Sequence, residues 1–234
     1  MPDIRRQQGF TLVEMAIVLV IIGLLLGGIL KGQELITSAR VRNIADQNSG
    51  VQAAYYGFID RYRQVPGDWS KTNAEKAIPG VTHGGDSSGR LDGTKWVEGN
   101  ALWEQLSKSG FIQGNYLGDA KKPTQDDVNI APRNAFNGFL FLFSSSDYSD
   151  TSSTPSEKLN LVLGTGIPVN VIAELDRKID DGLPQTGVVR QAVTSGGEFD
   201  DHSQSKADCV TTAGTPVTWD IAKNEQNCNG VYLY

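Results

Sequence analysis

The chain has 234 residues, 39% of them hydrophobic, which suits one globular unit plus an anchor. Its formal charge is −6 and its pI is near 5.0. With no long basic run outside the arginines scattered through the first 63 residues, that balance argues against a general nucleic-acid binder and for a solvated, extracellular surface.

The first element in chain order is the apolar run Phe10–Leu30, 21 residues long. As a helix it would cover about 31 Å, one hydrocarbon thickness. Arg5 and Arg6 precede it, so the positive-inside rule leaves residues 1–9 in the cytoplasm. A secretory signal peptide shares the basic start, but this run is too long for one. Gly27-Gly28 before Ile29-Leu30-Lys31 is a poor cleavage site. Glu14 is the single charge in the run. A carboxylate inside lipid is costly, and an ordinary anchor gives it no purpose.

Gly9-Phe10-Thr11-Leu12-Val13-Glu14 followed by apolar residues resembles the prepilin signature of type IV pilins and type II secretion pseudopilins. The resemblance implies that a prepilin peptidase cuts between Gly9 and Phe10 and methylates the new amine of Phe10. It also implies that Glu14 acts in assembly by meeting the Phe10 amine of a neighbouring subunit. Each charge is expensive alone in lipid, and pairing removes much of that penalty, so a subunit in register is favoured over an offset one. A second arrangement, with Glu14 meeting its own amine, fits the same residues.

Beyond Leu30 the pattern stays helical. Val41, Ile44, Asn48, Val51, Tyr55, Phe58 and Tyr62 recur at steps of three and four and form a one-sided stripe. An unbroken helix from Phe10 to Gln64 would hold 55 residues and run about 80 Å. Val65-Pro66 ends it, because the residue before proline is driven out of the helical region. Gly27, Gly28 and Gly32 weaken the helix at the membrane exit by about 1 kcal/mol each. In relatives a corresponding stretch can unwind on entering a filament; close helix packing is the plainer use of these glycines.

From Asp68 onward Gly, Asp, Ser and Thr dominate, and short apolar segments predict a loop-rich α+β head. Glu98–Ser107 reads as a helix with Leu102, Trp103 and Leu106 on one face and Gly110 as its stop. Phe136–Phe143 and Leu159–Leu163 read as strands, the first apolar on both faces and therefore central. Pro168 opens a helix bearing Val171, Ile172, Leu175 and Ile179. Val188–Val193, Pro216–Ile221 and Val231–Tyr234 are further strand candidates, and Tyr148–Glu157 reads as an exposed loop. Cys209 and Cys228 have 18 residues between them. Paired in an oxidising compartment, they would close a loop worth about 3 kcal/mol; two free thiols are the alternative.

Metal chemistry has two weak footholds. Gly85–Gly93 contains Asp86 and Asp92 at calcium-loop spacing but lacks an EF-hand's third donor and its bidentate Glu, the twelfth position being Val97. Asp180 and Asp181 form the second, and some pseudopilins hold calcium in the head. Asp-rich turns usually serve the backbone alone. His83 and His202 each stand among Gly, Asp and Ser and read as solvated loop residues. Trp69, Trp96, Trp103 and Trp219 read as core or subunit contact rather than a ligand shelf. No nucleophile or metal-hydrolase motif is present, so the chain reads as a non-enzyme without a required cofactor.

Three head segments also resemble longer proteobacterial pilin-like proteins: Val65-Pro66-Gly67-Asp68, Glu98 through Gly110, and Asp180–Gly187. The expectation is an α+β, pilin-like fold. A leader spans 1–9, a transmembrane and assembly helix 10–30, an amphipathic continuation 31–64, and a head 65–234 with an antiparallel sheet and extra short helices. The implied function is a structural subunit of a type IV pilus-like filament. Its partners would be other pilin subunits, prepilin peptidase and the inner-membrane assembly machinery. It would reside in the inner membrane before assembly and in an extracellular pilus after it. A type II secretion pseudopilin in a periplasmic pseudopilus is the alternative. A monotopic protein whose head captures DNA or a surface is a third class, against which the acidic total counts.

Overall fold

The computed structural model describes residues 11–92, 95–124, 126–193, 207–211 and 214–234. Contacts divide the chain into two compact units, residues 1–39 and residues 40–234. Helix α1, Leu12–Tyr62, has 51 residues and enters both. It stops two residues before the predicted Gln64, where Arg63 turns to φ +55° and its N–H still bonds the Ile59 carbonyl.

In the first unit every residue from Thr11 to Leu30 is exposed, including Leu12 at 90% and Leu24 at 73%. α1 is long and apolar enough at this end to cross a membrane.

In the second unit the predicted stripe becomes one wall of the core. Val41, Ile44, Asn48, Val51, Tyr55 and Phe58 are all buried, and Tyr62 packs against them half-buried. Phe58 meets the rings of Tyr62, Trp69 and Phe111 with centroids 4.6, 6.2 and 5.9 Å away. Asn48 is the polar member of the stripe, and it is satisfied by the Tyr234 hydroxyl, which donates to its Oδ1 (3.0 Å). The last residue of the chain is thereby fastened to the helix that opens the unit.

Among the described residues three further α-helices follow: α2 at Lys71–Ala77, α3 at Lys95–Lys108 and α4 at Val169–Ile179. α3 contains the predicted Glu98–Ser107, and Pro168 stands immediately before α4 with φ −64°. α2 was not predicted. It buries only Ala74, so it carries no apolar period to read.

Among the described residues, four strands form one antiparallel sheet in the order β1-β2-β4-β3. They are β1 (Phe141–Ser145), β2 (Lys158–Val162), β3 (Val189–Gln191) and β4 (Gly230–Leu233). The register pairs Phe141 with Val162, Asn160 with Leu233 and Val189 with Tyr232.

Three strand expectations are corrected. The predicted Phe136–Phe143 begins as a strand only at Phe141, because the Asn134 Oδ1 accepts the N–H groups of Phe136 and Gly138 and folds that stretch into a turn. β1 is an edge strand rather than a central one. It is buried on both faces regardless, since Trp96 packs edge-on to Phe141 (5.2 Å) and the Ser144 N–H is taken by the Leu91 carbonyl (2.8 Å). Pro216–Ile221 contributes only an isolated bridge between Val210 and Trp219, then turns into a short 3-10 helix at Ile221–Lys223. The Tyr148–Glu157 loop is exposed at residues 151–154, but Tyr148 itself is buried under the Arg190 guanidinium, 5.3 Å from its ring centre.

Candidate functional site: the N-terminal assembly segment

The start of α1 is organised by two residues. The N–H and the hydroxyl of Thr11 both donate to Glu14 Oε2, at 2.8 and 2.9 Å, and the Glu14 N–H donates back to the Thr11 hydroxyl (3.2 Å). This is a reciprocal capping box, in which helix-terminal N–H groups find side-chain acceptors. The Thr-x-x-Glu spacing is visible in the sequence, and Thr11 was not singled out there. Gly9 and Phe10, the predicted cleavage and methylation residues, lie outside the described residues, as do Arg5 and Arg6.

Downstream of the box, the apolar side chains from Leu12 to Leu30 present an uninterrupted exposed surface around one carboxylate. In water such a surface is unfavourable by about 25 cal/mol per Å2, so it calls for lipid or other apolar helices around it. The family model for the prokaryotic N-terminal methylation motif matches residues 4–30.

The chain carries a prepilin-type N-terminus.

That motif is the signature of type IV pilins and pseudopilins, and it points to a structural subunit processed by prepilin peptidase and assembled into filaments. The prepilin-type segment and the exposed apolar helix fit membrane anchoring before assembly. No curated protein and no solved structure matches the chain.

The C-terminal part of the head is held by a disulfide. Cys209 and Cys228 are bonded, with Sγ atoms 2.07 Å apart, and no described cysteine is free. The Cys228 N–H donates to the Ile167 carbonyl (2.8 Å), which fastens the closed loop beside the start of α4. Farther along α4, the fully buried Asp176 accepts the Trp219 indole N–H at 2.7 Å and the Gly182 N–H at 3.1 Å. Burial pushes this carboxyl up to about 6 despite those two donors, and Asp181 and Asp180 add repulsion.

The carboxylates proposed for metal sit as follows. Asp86 is gathered with Asp68 and Glu98, and Asp180 and Asp181 with Asp176, each set having oxygens within 4.8 Å of one another. These are the described groups that could hold a cation. Asp92 faces Arg90 instead (3.3 Å). Asp68 receives N–H groups from Ser88 (2.8 Å) and Gly89 (2.9 Å), and Asp181 receives that of Leu183 (2.9 Å). Asp180 receives those of Val188 and Val189. Asp180 and Asp181 thereby organise turns of their own loop, while Asp68 fixes the turn at Ser88-Gly89, twenty residues downstream.

His83 is a loop residue with a side chain 37% exposed, and it is the main chain there that is tied down. Its backbone N–H and both donors of Thr82 converge on Glu104, a fully buried carboxylate of α3, and its Nδ1 lies 3.6 Å from the same group. His202 lies outside the described residues. The tryptophans do not form a shelf: Trp103, Trp96 and Trp219 are buried in different parts of the core and Trp69 packs on Phe58.

Proposed function

We propose that the protein is a structural subunit of a type IV pilus-like filament. Prepilin peptidase removes residues 1–9 and methylates Phe10, the apolar helix leaves the inner membrane to join a helical bundle, and residues 40–234 decorate the outside. The observation supporting this reading is the exposed apolar surface from Leu12 to Leu30 with Glu14 as its only charge. Burying that surface among neighbouring helices supplies cohesion, which is not specific for register. Register needs a directional contact, and a carboxylate that meets one amine supplies it. On cleavage the Phe10 amine forms one residue before Thr11, within reach of the Thr11–Glu14 box, so Glu14 can exchange its capping role for a charge pair.

Replacing Glu14 by Ala tests this directly. The variant should be processed normally and accumulate in the membrane, while its recovery in sheared surface filaments falls at least tenfold. Wild-type filament recovery would overturn the register role. If the chain instead supports protein secretion and enters no surface fibre in either form, it works in a periplasmic pseudopilus and the pilus reading fails.

A further inference from the structure

The charges of the head are unevenly divided. Residues 40–122 carry 11 Lys and Arg against 9 Asp and Glu, and three of those acids, Asp68, Glu98 and Glu104, are buried. Residues 123–234 carry 7 Lys and Arg against 15 Asp and Glu. The net charge of −6 therefore conceals a basic part and an acidic part within one folded unit. The sheet holds them apart. α3 packs on β1 through Trp96 and Phe141, whereas α4 packs on β3. β1 and β3 are its two edges, about 14 Å apart across three strand spacings.

The basic end lies on the α3 side. Gln105 of α3 accepts the Gly67 N–H (2.9 Å) and donates to the Trp69 carbonyl (3.2 Å), which ties the end of α1 and the start of α2 to it. The Arg61 guanidinium lies over the Tyr62 ring (5.1 Å), and that ring packs on Trp69 (5.7 Å). Arg61, Arg63, Lys71 and Lys76 are exposed there with the half-buried Lys108, against Asp60 and Glu75. The acidic end surrounds the buried bond between Asp176 and Trp219 on the α4 side. Glu174 lies on α4, and Asp180 and Asp181 follow it. The Asp220 N–H donates to the Cys209 carbonyl (3.0 Å), which brings Asp208 beside Asp220, and the Glu225 carbonyl accepts the Val169 N–H (2.9 Å) at the start of α4. Arg177, Lys178 and Lys223 are the cations among these carboxylates, so negative charge is in excess.

We infer that the basic end of one head docks on the acidic end of a second copy of this chain. Each subunit then meets its neighbour through two different surfaces. Such a heterologous contact repeats along a helical row wherever its rotation does not close a ring. Exposed ion pairs are individually weak and screened by salt, so cohesion stays with the apolar helices. The charges instead select which way a neighbouring head faces, because like ends repel. A second copy fits better than an anionic polymer, since one chain supplies both halves of the match. The inference rests on the filament reading and adds the contact between heads to it.

The test expresses the full chain in cells lacking the native copy and measures its recovery in sheared surface filaments. One variant reverses the basic end with Arg61→Glu, Lys71→Glu and Lys76→Glu. Another reverses the acidic end with Glu174→Lys, Asp208→Lys and Asp220→Lys. Alone, each variant presents two ends of like charge, and its recovery should fall at least fivefold. Co-expressed, the two should return to within twofold of the native yield, in mixed filaments that hold both in similar amounts. Misfolded subunits could not give that rescue. Native yield from either variant alone, or failure of the pair together, would overturn the contact and leave the filament reading standing. A native chain that enters no surface filament would overturn both. Duplex DNA bound by native filaments and lost on reversing the basic end, with filament yield unchanged, would assign that end to an anionic polymer and also overturn the contact.

Discussion

Asp176 gives the head a pH dependence whose sign follows from its surroundings. Its folded carboxyl titrates near 6, above the ordinary value of 3.8. Between about pH 4 and pH 6 the folded protein therefore holds a proton that the unfolded chain has released. Stability falls as pH rises through that window and stays at the lower level above it, by on the order of 2 kcal/mol. Asp127 and Asp150 are held below the usual carboxylate range, first by the Thr124 and Ser152 N–H groups, so they contribute the opposite sign and only below about pH 4. Thermal unfolding at pH 4.5 and pH 7 should show the folded state gaining from acid in the native protein. Asp176→Asn should flatten that difference, and an unchanged slope would mean that another group carries it. Gly67 has no room for a side chain. It sits at φ +88°, and a Cβ there would lie 2.5 Å from the Glu98 carbonyl. Gly67→Ala should cost more than about 2 kcal/mol in denaturant unfolding, from the left-handed backbone and the clash together.

α1 shows why helices were read more accurately than strands. Its stripe has seven members on a regular spacing, and the structure buries six of them. α4 was similarly legible because proline marks its start and four apolar residues mark its face. The strands have five residues or fewer, and their limits are set by contacts distant in sequence, such as the Asn134 side chain and the Leu91 carbonyl. α2, with a single buried alanine, carried no signal. At the N-terminus the prepilin motif was legible from Gly9 to Glu14, but the bond between Thr11 and Glu14 needed coordinates. Glu104 and Asp176 were beyond sequence reasoning because each has a defining partner at least 21 residues away, and the reading of Trp219 as core could not show its bond to Asp176. The core contribution of α1 has a measurable consequence. A chain starting at residue 40 keeps the stripe and should fold in water, whereas one starting at residue 65 should not. Phe58→Ala in the longer chain should cost about 3–5 kcal/mol, read by denaturant unfolding. A stable fold of residues 65–234 would contradict the role given to the helix.

At the scale of the whole molecule, two chemistries meet in one chain. Residues 40–234 bury their apolar side chains, close a disulfide suited to an oxidising compartment, and expose an acidic surface. The prepilin-type segment does the reverse, exposing its apolar side chains around one carboxylate. A lipid bilayer fits the second arrangement before assembly, and in the proposed filament a bundle of neighbouring pilin helices would fit it afterwards. In the proposed filament Glu14 would acquire its cationic partner only when the leader leaves, so the proposal depends on where the chain is cut. Intact-mass analysis with N-terminal fragmentation of the membrane-extracted protein measures this directly. The account predicts a chain that begins at N-methylated Phe10 and retains the Cys209–Cys228 bond. A chain that still begins at Met1, or one cut after Gly28 as a secreted protein would be, would contradict it.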